Sequence, residues 1–431
     1  MNSINRKQLF VTSCLALLVT SLSFGIRAGI LNQLGVEFSL DASQLSAIIA
    51  TAFWGFPLAV IIGGMLVDII GMKKLLGMAF IFHLLGIVMT IFAQGYFTLF
   101  FSTLLIGIAN GTVEAACNPL VATLYPDKRT TKLNHFHLWF PAGIFLGTLI
   151  VLLLNHLGLH WQFQVGLMLI PTFIYGFQVF KQNFPVTERV SSGISTASMY
   201  RSVASPLFIF MFICMFGTAI TELFTGQWID VLLANVTDNP ILILTLTTGV
   251  MVIGRGFAGP VVKKLSPQGV LFVSAVFAAT GLYLLSTLTG NAIFFAAIIF
   301  GIGVCYFWPT MIGFVAENIP SSGALGLNLM GGAGMFAVSI YTLFMGGFYD
   351  SLVKDKLPAN ADINTYRGAL PGSEMALALQ DAKNITGPEV LQATLIIPIV
   401  LIFAFAGLFF YMKSRKKEVD PIITPQKCAT F

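Results

Sequence analysis

The sequence predicts an all-α polytopic membrane protein whose twelve transmembrane helices form two pseudo-symmetric six-helix bundles. Three observations carry the prediction. Hydrophobic residues make up 56% of the 431, charged ones 10%, and the mean hydropathy is +0.87, which excludes an ordinary water-soluble domain. Apolar stretches of roughly 20 residues, each long enough to cross about 30 Å of hydrocarbon, recur about twelve times. Finally, Gly107 and Gly301, Pro126 and Pro320, and Leu133-Asn134 and Leu327-Asn328 are all separated by the same 194 positions. A common offset on either side of a central linker points to two parallel six-span repeats.

The spans centre near residues 20, 56, 85, 110, 145, 171, 218, 251, 279, 304, 336 and 401. The first, Phe10 to Ile30, is too long for the apolar core of a signal peptide and lacks a small-residue cleavage site, so it reads as a retained helix. Arg6, Lys7, Lys73, Lys74, Lys128, Arg129, Lys132, Lys181, Arg189, Arg201, Lys263, Lys264 and the tail Lys413 to Lys417 then fall on one side. That side is expected to be the cytoplasm, with both termini on it and the bundle in the plasma (inner) membrane. The net charge of +5 is therefore a topology signal and does not imply nucleic acid.

Opposite loops are short and carry Glu37, Asp41, Asp230 and Asp238. One insertion at about 350–389 departs from this, with Pro358, Pro371 and Pro388 and a short amphipathic helix expected near Ser373 to Lys383. It reads either as a lid over the bundle or as a plain surface loop. The Ser/Thr-rich stretch at 184–204 divides an N-terminal bundle, 1–183, from a C-terminal one, 205–431. The five cysteines are scattered without CxxC spacing, which supports neither disulfides nor zinc.

Ionisable residues inside spans are the functional candidates, because a charge at the bilayer centre costs about 2.5–3.5 kcal/mol on insertion scales. Glu114 lies in the fourth span, on one helix face with Asn118, and Pro119 frees a carbonyl expected to face a cavity. His135 and His137, two apart, point to different faces, while His83 reads as a packing histidine. Arg27, with Asn32 in the same stretch, has two readings. Its planar fork can bind an anionic substrate, or it can pair permanently with Glu114. In the second half Glu222, Gln227, Trp228, Tyr306 and Trp308 mix carboxyl, amide and aromatic groups in the way a polyhydroxylated ligand needs, although each aromatic also suits core packing. Met330-Gly331-Gly332-Ala333-Gly334 reads as tight helix packing, with no following Lys for a phosphate loop.

Gly64-Met65-Leu66-Val67-Asp68-Ile69-Ile70-Gly71-Met72-Lys73-Lys74 resembles the signature G-x-L-x-D-x-x-G-x-[RK]-[RK] of the major facilitator superfamily. A half-motif recurs as Gly254-Arg255 before Gly259-Pro260-Val261-Val262-Lys263-Lys264, where Lys263 replaces the acid. Asp68, Lys73, Lys74 and Arg255 are accordingly expected near cytoplasmic helix ends in gating or structural roles. Within that superfamily, Glu114-Ala115-Ala116-Cys117-Asn118-Pro119 is similar to the E-[TS]-A-x-N-P helix of fucose/glucose/galactose-type sugar symporters. Leu133-Asn134-x-x-His137-x-x-Phe140-x-x-Gly143 resembles their L-N-x-x-[HQ]-x-x-F-x-x-G helix, Glu222-x-x-x-Gly226-Gln227-Trp228 their E-x-x-x-G-G-W, and Trp308-Pro309-Thr310 their F-P-T. Where those carriers hold an acid in the first span, this chain has Arg27.

The resemblance implies a secondary active transporter, not an enzyme, importing a sugar or sugar acid by proton symport and alternating access. Glu114 would be the coupling carboxyl, and Arg27, Asn32, Asn118, His137, Glu222, Gln227, Trp228, Tyr306 and Trp308 would form the substrate site. An organic-anion carrier anchored on Arg27, a Na+-coupled sugar symporter using Glu114 and Asn118, and a non-transporting sensor are the alternatives. A drug exporter fits less well, since no Gly-Pro follows Gly143 in the fifth span. No cofactor is expected beyond the coupling ion, and the partners are the small solute and membrane lipid, with the chain acting as a monomer.

Overall fold

The computed structural model describes residues 4–40, 42–226, 232, 240–358, 361–370 and 372–419. Helices α1 (Arg6–Glu37), α2 (Ala42–Ile70), α3 (Met72–Ile91) and α4 (Tyr96–Leu124) form the first four spans. The fifth is broken at Leu138 into α5 (Arg129–His137) and α6 (Trp139–His156), and the sixth into α7 (Trp161–Gly166) and α8 (Leu169–Lys181). The Ser/Thr-rich linker contains two short helices, α9 (Glu188–Ser191) and α10 (Thr196–Val203).

In the second half α11 (Pro206–Ala219) passes into a π-helical turn, Ile220–Phe224, and is followed by α12 (Pro240–Gly256) and α13 (Ala258–Thr287). The tenth span is α14 (Ala292–Val304) and α15 (Phe307–Asn318), the eleventh α16 (Gly323–Lys356). Helices α17 (Glu374–Thr394) and α18 (Ile396–Val419) complete the described chain. Among the described residues eleven helical segments are long and apolar enough to cross a membrane, and the shorter apolar helix Leu242–Gly256 takes the place of the twelfth.

The insertion is more helical than its composition suggests. α16 runs on to Lys356, past the boundary expected near residue 350, and the expected short helix extends from Glu374 through Pro388 to Thr394. Ser373 caps it by accepting from the Ala376 N–H at 3.3 Å. α17 packs on α13, α16 and α18, all of the second half, which supplies the burial that its sequence alone does not announce.

Within each half the helices meet closely at glycines. At Gly111 a side chain would run into the Phe56 carbonyl, which is how α2 and α4 come into backbone contact. Between the halves, α2 and α4 pack on α16, α5 packs on α15, and α6 packs on α12. The glycine-rich stretch of α16 makes contacts of both kinds: Gly332 faces Ile61 of the first half, and Gly334 faces the Trp308 ring within the second. A fully buried chain of hydrogen bonds ties four helices of the first half. Tyr175 Oη donates to His83 Nδ1 (2.9 Å), His83 Nε2 to Asn110 Oδ1 (2.8 Å), and Asn110 Nδ2 to Ser23 Oγ (3.1 Å). His83 is thereby a satisfied packing residue, as its sequence context suggests.

Candidate functional site

Four ionisable side chains from both halves converge on one small central cavity: Glu114 and His137 from the first half, Glu222 and Arg255 from the second. Phe56, Phe140 and Trp308 supply aromatic walls. The cavity offers about 20 Å³ of water-accessible space, enough for one or two waters. Helix interruptions build it. His137 ends α5 at the break in the fifth span, Glu222 sits in the π-turn after α11, and Trp308 opens α15 after the break in the tenth span. Such interruptions are tolerated at membrane depth only where the chain is buried in protein or lines a cavity.

Arg255, 1% exposed, holds the second half of the site together. Its Nη2 pairs with Glu222 Oε1 at 2.8 Å, its Nε donates to the Cys305 carbonyl at 2.7 Å, and its Nη1 crosses to the His137 carbonyl at 2.8 Å. The sequence placed Arg255 at a cytoplasmic helix end. It does end α12, yet the guanidinium reaches inward to the cavity, because Glu222 and two backbone carbonyls await it there. Glu222 Oε2 meets no hydrogen-bond partner within 3.5 Å among the described residues, although the Trp308 backbone also lies beside the carboxyl. Tyr306 is engaged, its hydroxyl donating to the Gly254 carbonyl at 2.6 Å, and it braces the end of α12.

Glu114 has different company. Asn118 Nδ2 donates to its Oε2 at 2.5 Å, one helical turn away, as the four-residue spacing requires. Because that amide nitrogen faces Glu114, Asn118 Oδ1 faces His137 and can only accept, so the Nε2 of His137 carries the hydrogen of the 3.0 Å bond. The other ring nitrogen, Nδ1, lies 3.8 Å from Glu114 Oε1. No Lys or Arg lies within 4.0 Å of Glu114 among the described residues. His135, half-buried, is not part of this group.

The expected pairing of Arg27 with Glu114 is not formed. Ser23 of α1 and Asn110 of α4 are in contact, which sets them at one level. The two helices run in opposite directions. Arg27 stands four residues beyond Ser23 and Glu114 four beyond Asn110 in the other direction, so they are separated by about 12 Å of helix rise. Arg27 instead donates from Nη2 to the Ser23 carbonyl at 3.3 Å and lies 5.5 Å from the Phe24 ring centre. Phe24 packs on Phe140 at the cavity wall, which puts Arg27 one layer out from the central group. The carbonyl freed by Pro119, that of Ala115, was expected to face the cavity; Asn328 Nδ2 occupies it at 3.0 Å. Gln227, Trp228 and the side chain of Asn32 lie outside the described residues.

The basic end of the molecule carries the remaining candidates. Asp68 Oδ2 pairs with Arg189 Nε of the linker at 2.5 Å, and the Thr187 hydroxyl donates to Asp68 Oδ1. Lys73 Nζ donates to the carbonyls of Phe180 (3.0 Å) and Gln182 (2.7 Å), while Lys74 is exposed. Residues that the sequence offered only as topology, repeat or motif markers, together with Glu188, Glu317 and Thr130, complete this end. Arg129 pairs with Glu188 at 2.5 Å and also donates to the Ala316 carbonyl, Glu317 Oε1 accepts from the Thr130 N–H at 2.9 Å, and Asn134 Nδ2 reaches Thr310 Oγ1 at 3.2 Å. The repeat-related asparagines, Asn134 and Asn328, thus each reach across to the opposite half. Their shared Leu-Asn context was the visible signal; the partners were not.

The facilitated glucose transporter member 10 of solute carrier family 2 from Danio rerio is 27% identical over 164 residues, 38% of this chain and 32% of that protein. The match therefore spans about a third of that relative's length. Among solved structures, the E. coli fucose:proton symporter superposes with a TM-score of 0.67 at 15% identity, covering 91% of this chain and 98% of that one. A human organic anion transporter gives 0.63 at 12% identity, covering 92% and 100%. At these identities the solved structures share the fold. Residues 13–350 match the Major Facilitator Superfamily, and the chain belongs to that superfamily of membrane transporters.

Proposed function

We propose that the protein imports a sugar-class, polyhydroxylated solute together with a proton, and that Glu114 is the proton site. One observation carries this reading: two carboxyls share a single buried cavity, and only one of them has a cation against it. Glu222 is paired with Arg255, whereas Glu114 has only the Asn118 amide and the His137 ring. A proton is the cheapest way to neutralise a carboxylate at membrane depth that has no cationic partner. His137 Nδ1, 3.8 Å from Oε1, is placed to share that proton once a small shift closes the gap.

For the solute, Glu222 Oε2 and the Asn118–His137 pair are acceptors and donors for hydroxyls, and Trp308 with Phe140 offers apolar faces to a sugar ring. A sugar needs more room than one or two waters, so binding goes with movement of the halves around the site, as in alternating access. Relatives described as a glucose transporter and a fucose:proton symporter support the solute class. The occupied Ala115 carbonyl removes a ligand that Na+ would need beside Glu114 and favours the proton. In this reading the basic end faces the cytoplasm, both termini lie there, and the monomer sits in the inner membrane.

A second reading, a sugar acid or other organic anion, rests on Arg27. Its guanidinium meets no carboxylate within 4.0 Å among the described residues and keeps donors available above the Phe24–Phe140 wall. Proteoliposomes containing the purified chain, given neutral hexoses, hexuronates and simple carboxylates with and without an inward proton gradient, separate the readings. Gradient-driven accumulation of neutral sugars supports the first. Accumulation confined to acids, and lost in Arg27→Gln, supports the second.

A further inference from the structure

Inside a helix, proline lacks the N–H that the carbonyl four residues earlier would accept, and so leaves that carbonyl without its helical donor. Among the described residues, three hydrogen bonds run from a side chain of one half of this chain to a backbone carbonyl of the other. Asn328 Nδ2 reaches the Ala115 carbonyl at 3.0 Å, Arg255 Nη1 reaches that of His137 at 2.8 Å, and Arg129 Nη1 reaches that of Ala316. Each acceptor stands four residues before a proline: Pro119 and Pro141 lie within helical chain, whereas Pro320 follows the end of α15 at Asn318, so the Ala316 carbonyl is one of the last-turn carbonyls that any helix end leaves without a donor. With 18 prolines in 431 residues, a carbonyl taken at random holds that position about once in 24, so three in three is not expected by chance. A fourth bond of the same kind, Arg255 Nε to Cys305 O at 2.7 Å, lies before Pro309 and fixes the same guanidinium within the second half.

We propose that Pro119 and Pro141 are positioning residues for closure of the two halves, each presenting a backbone carbonyl that a side chain of the opposite half captures, with the last-turn carbonyl of Ala316 as a third such acceptor. A carbonyl already bonded in a helix offers an incoming donor only its second lone pair. A buried carbonyl with no helical donor must find a partner, and the opposite half provides it when the halves meet. When they part, water takes the donor's place. The three contacts therefore belong to one arrangement of the molecule and report on it. Because Arg255 is also the partner of Glu222, the contact at Pro141 lies in the central cavity, whereas the other two lie toward the basic end.

The test is a mutant cycle read as a distance. Spin labels at Lys128→Cys and Lys264→Cys, exposed positions in opposite halves, report separation at the basic end of the full-length chain, with its native cysteines replaced. Pro119→Ala restores the N–H and should lower the ratio of closed to open populations roughly tenfold. Asn328→Ala, which removes the donor and leaves the proline, should do the same. The double variant should be no more open than either single, because both changes delete one interaction. Pro141→Ala repeats the measurement for the cavity contact. Proline acting only by bending its helix predicts effects of Pro119→Ala and Asn328→Ala that add, and that result overturns the proposal. So does an unchanged distance distribution in variants that elute as folded monomers.

Discussion

Glu114 and Glu222 face the same cavity from opposite halves, and they differ in what holds them. Glu222 sits in a π-turn, with Arg255 clamped between it and two carbonyls. Glu114 sits in an unbroken stretch of α4, one turn from a neutral amide and 3.8 Å from a histidine. The lesson is that an intramembrane carboxyl is not by itself a functional assignment. One of these is paired with a buried guanidinium, and the other has no Lys or Arg within 4.0 Å among the described residues, which is the difference on which the proposed proton role of Glu114 rests.

Mutation can break that comparison. The largest effect is expected for Glu222→Gln, which strands a buried guanidinium and should cost about 3–5 kcal/mol in unfolding of the detergent-solubilised protein. Glu114→Gln is nearly isosteric and removes no ion pair with Lys or Arg, so its stability should change by less than about 1 kcal/mol. A larger loss for Glu114→Gln than for Glu222→Gln would reverse the assignment of the two roles. Replacing both partners, as in Glu222→Leu with Arg255→Met, should recover most of the stability lost in Glu222→Gln, since a buried pair and a well-packed apolar pair are often close to equivalent. Transport should not return with it, because Glu222 Oε2 has gone.

Smaller effects sharpen the contrast between the cavity and the basic end. Asp68→Asn removes one partner of a part-buried ion pair and should cost about 1–3 kcal/mol, read in the same unfolding assay. Lys74→Ala, at an exposed position, should stay within about 0.5 kcal/mol. If Lys74→Ala proved as damaging as Asp68→Asn, the motif would act through its charge as a whole and not through the Asp68–Arg189 contact.

Much of the fold was legible because it depends on local composition. Span lengths, basic loops and the 194-residue offset are all written along the chain, and the structure's helices fall on the expected centres. Glu114, Asn118 and His137 were legible together because two of them share a helix face and the third falls in a neighbouring motif. Arg255 with Glu222 was not, since 33 residues and an interrupted helix separate them, and nothing local says which way a helix-end arginine turns. Of the two readings of Arg27, the pairing with Glu114 fails for a geometric reason: opposite helix directions turn two apparently central residues into groups at different depths. The prolines were in view throughout, but their importance depends on donors from the other half, which only the folded chain brings near.

The proposed role of Glu114 as carrier of the coupling proton turns on one substitution. Glu114→Gln in proteoliposomes, assayed for accumulation under an inward proton gradient and for gradient-free exchange of internal and external solute, tests it most directly. With Glu114 as the proton site, exchange continues while gradient-driven accumulation disappears. Accumulation in the variant equal to that of the unmodified protein would contradict it.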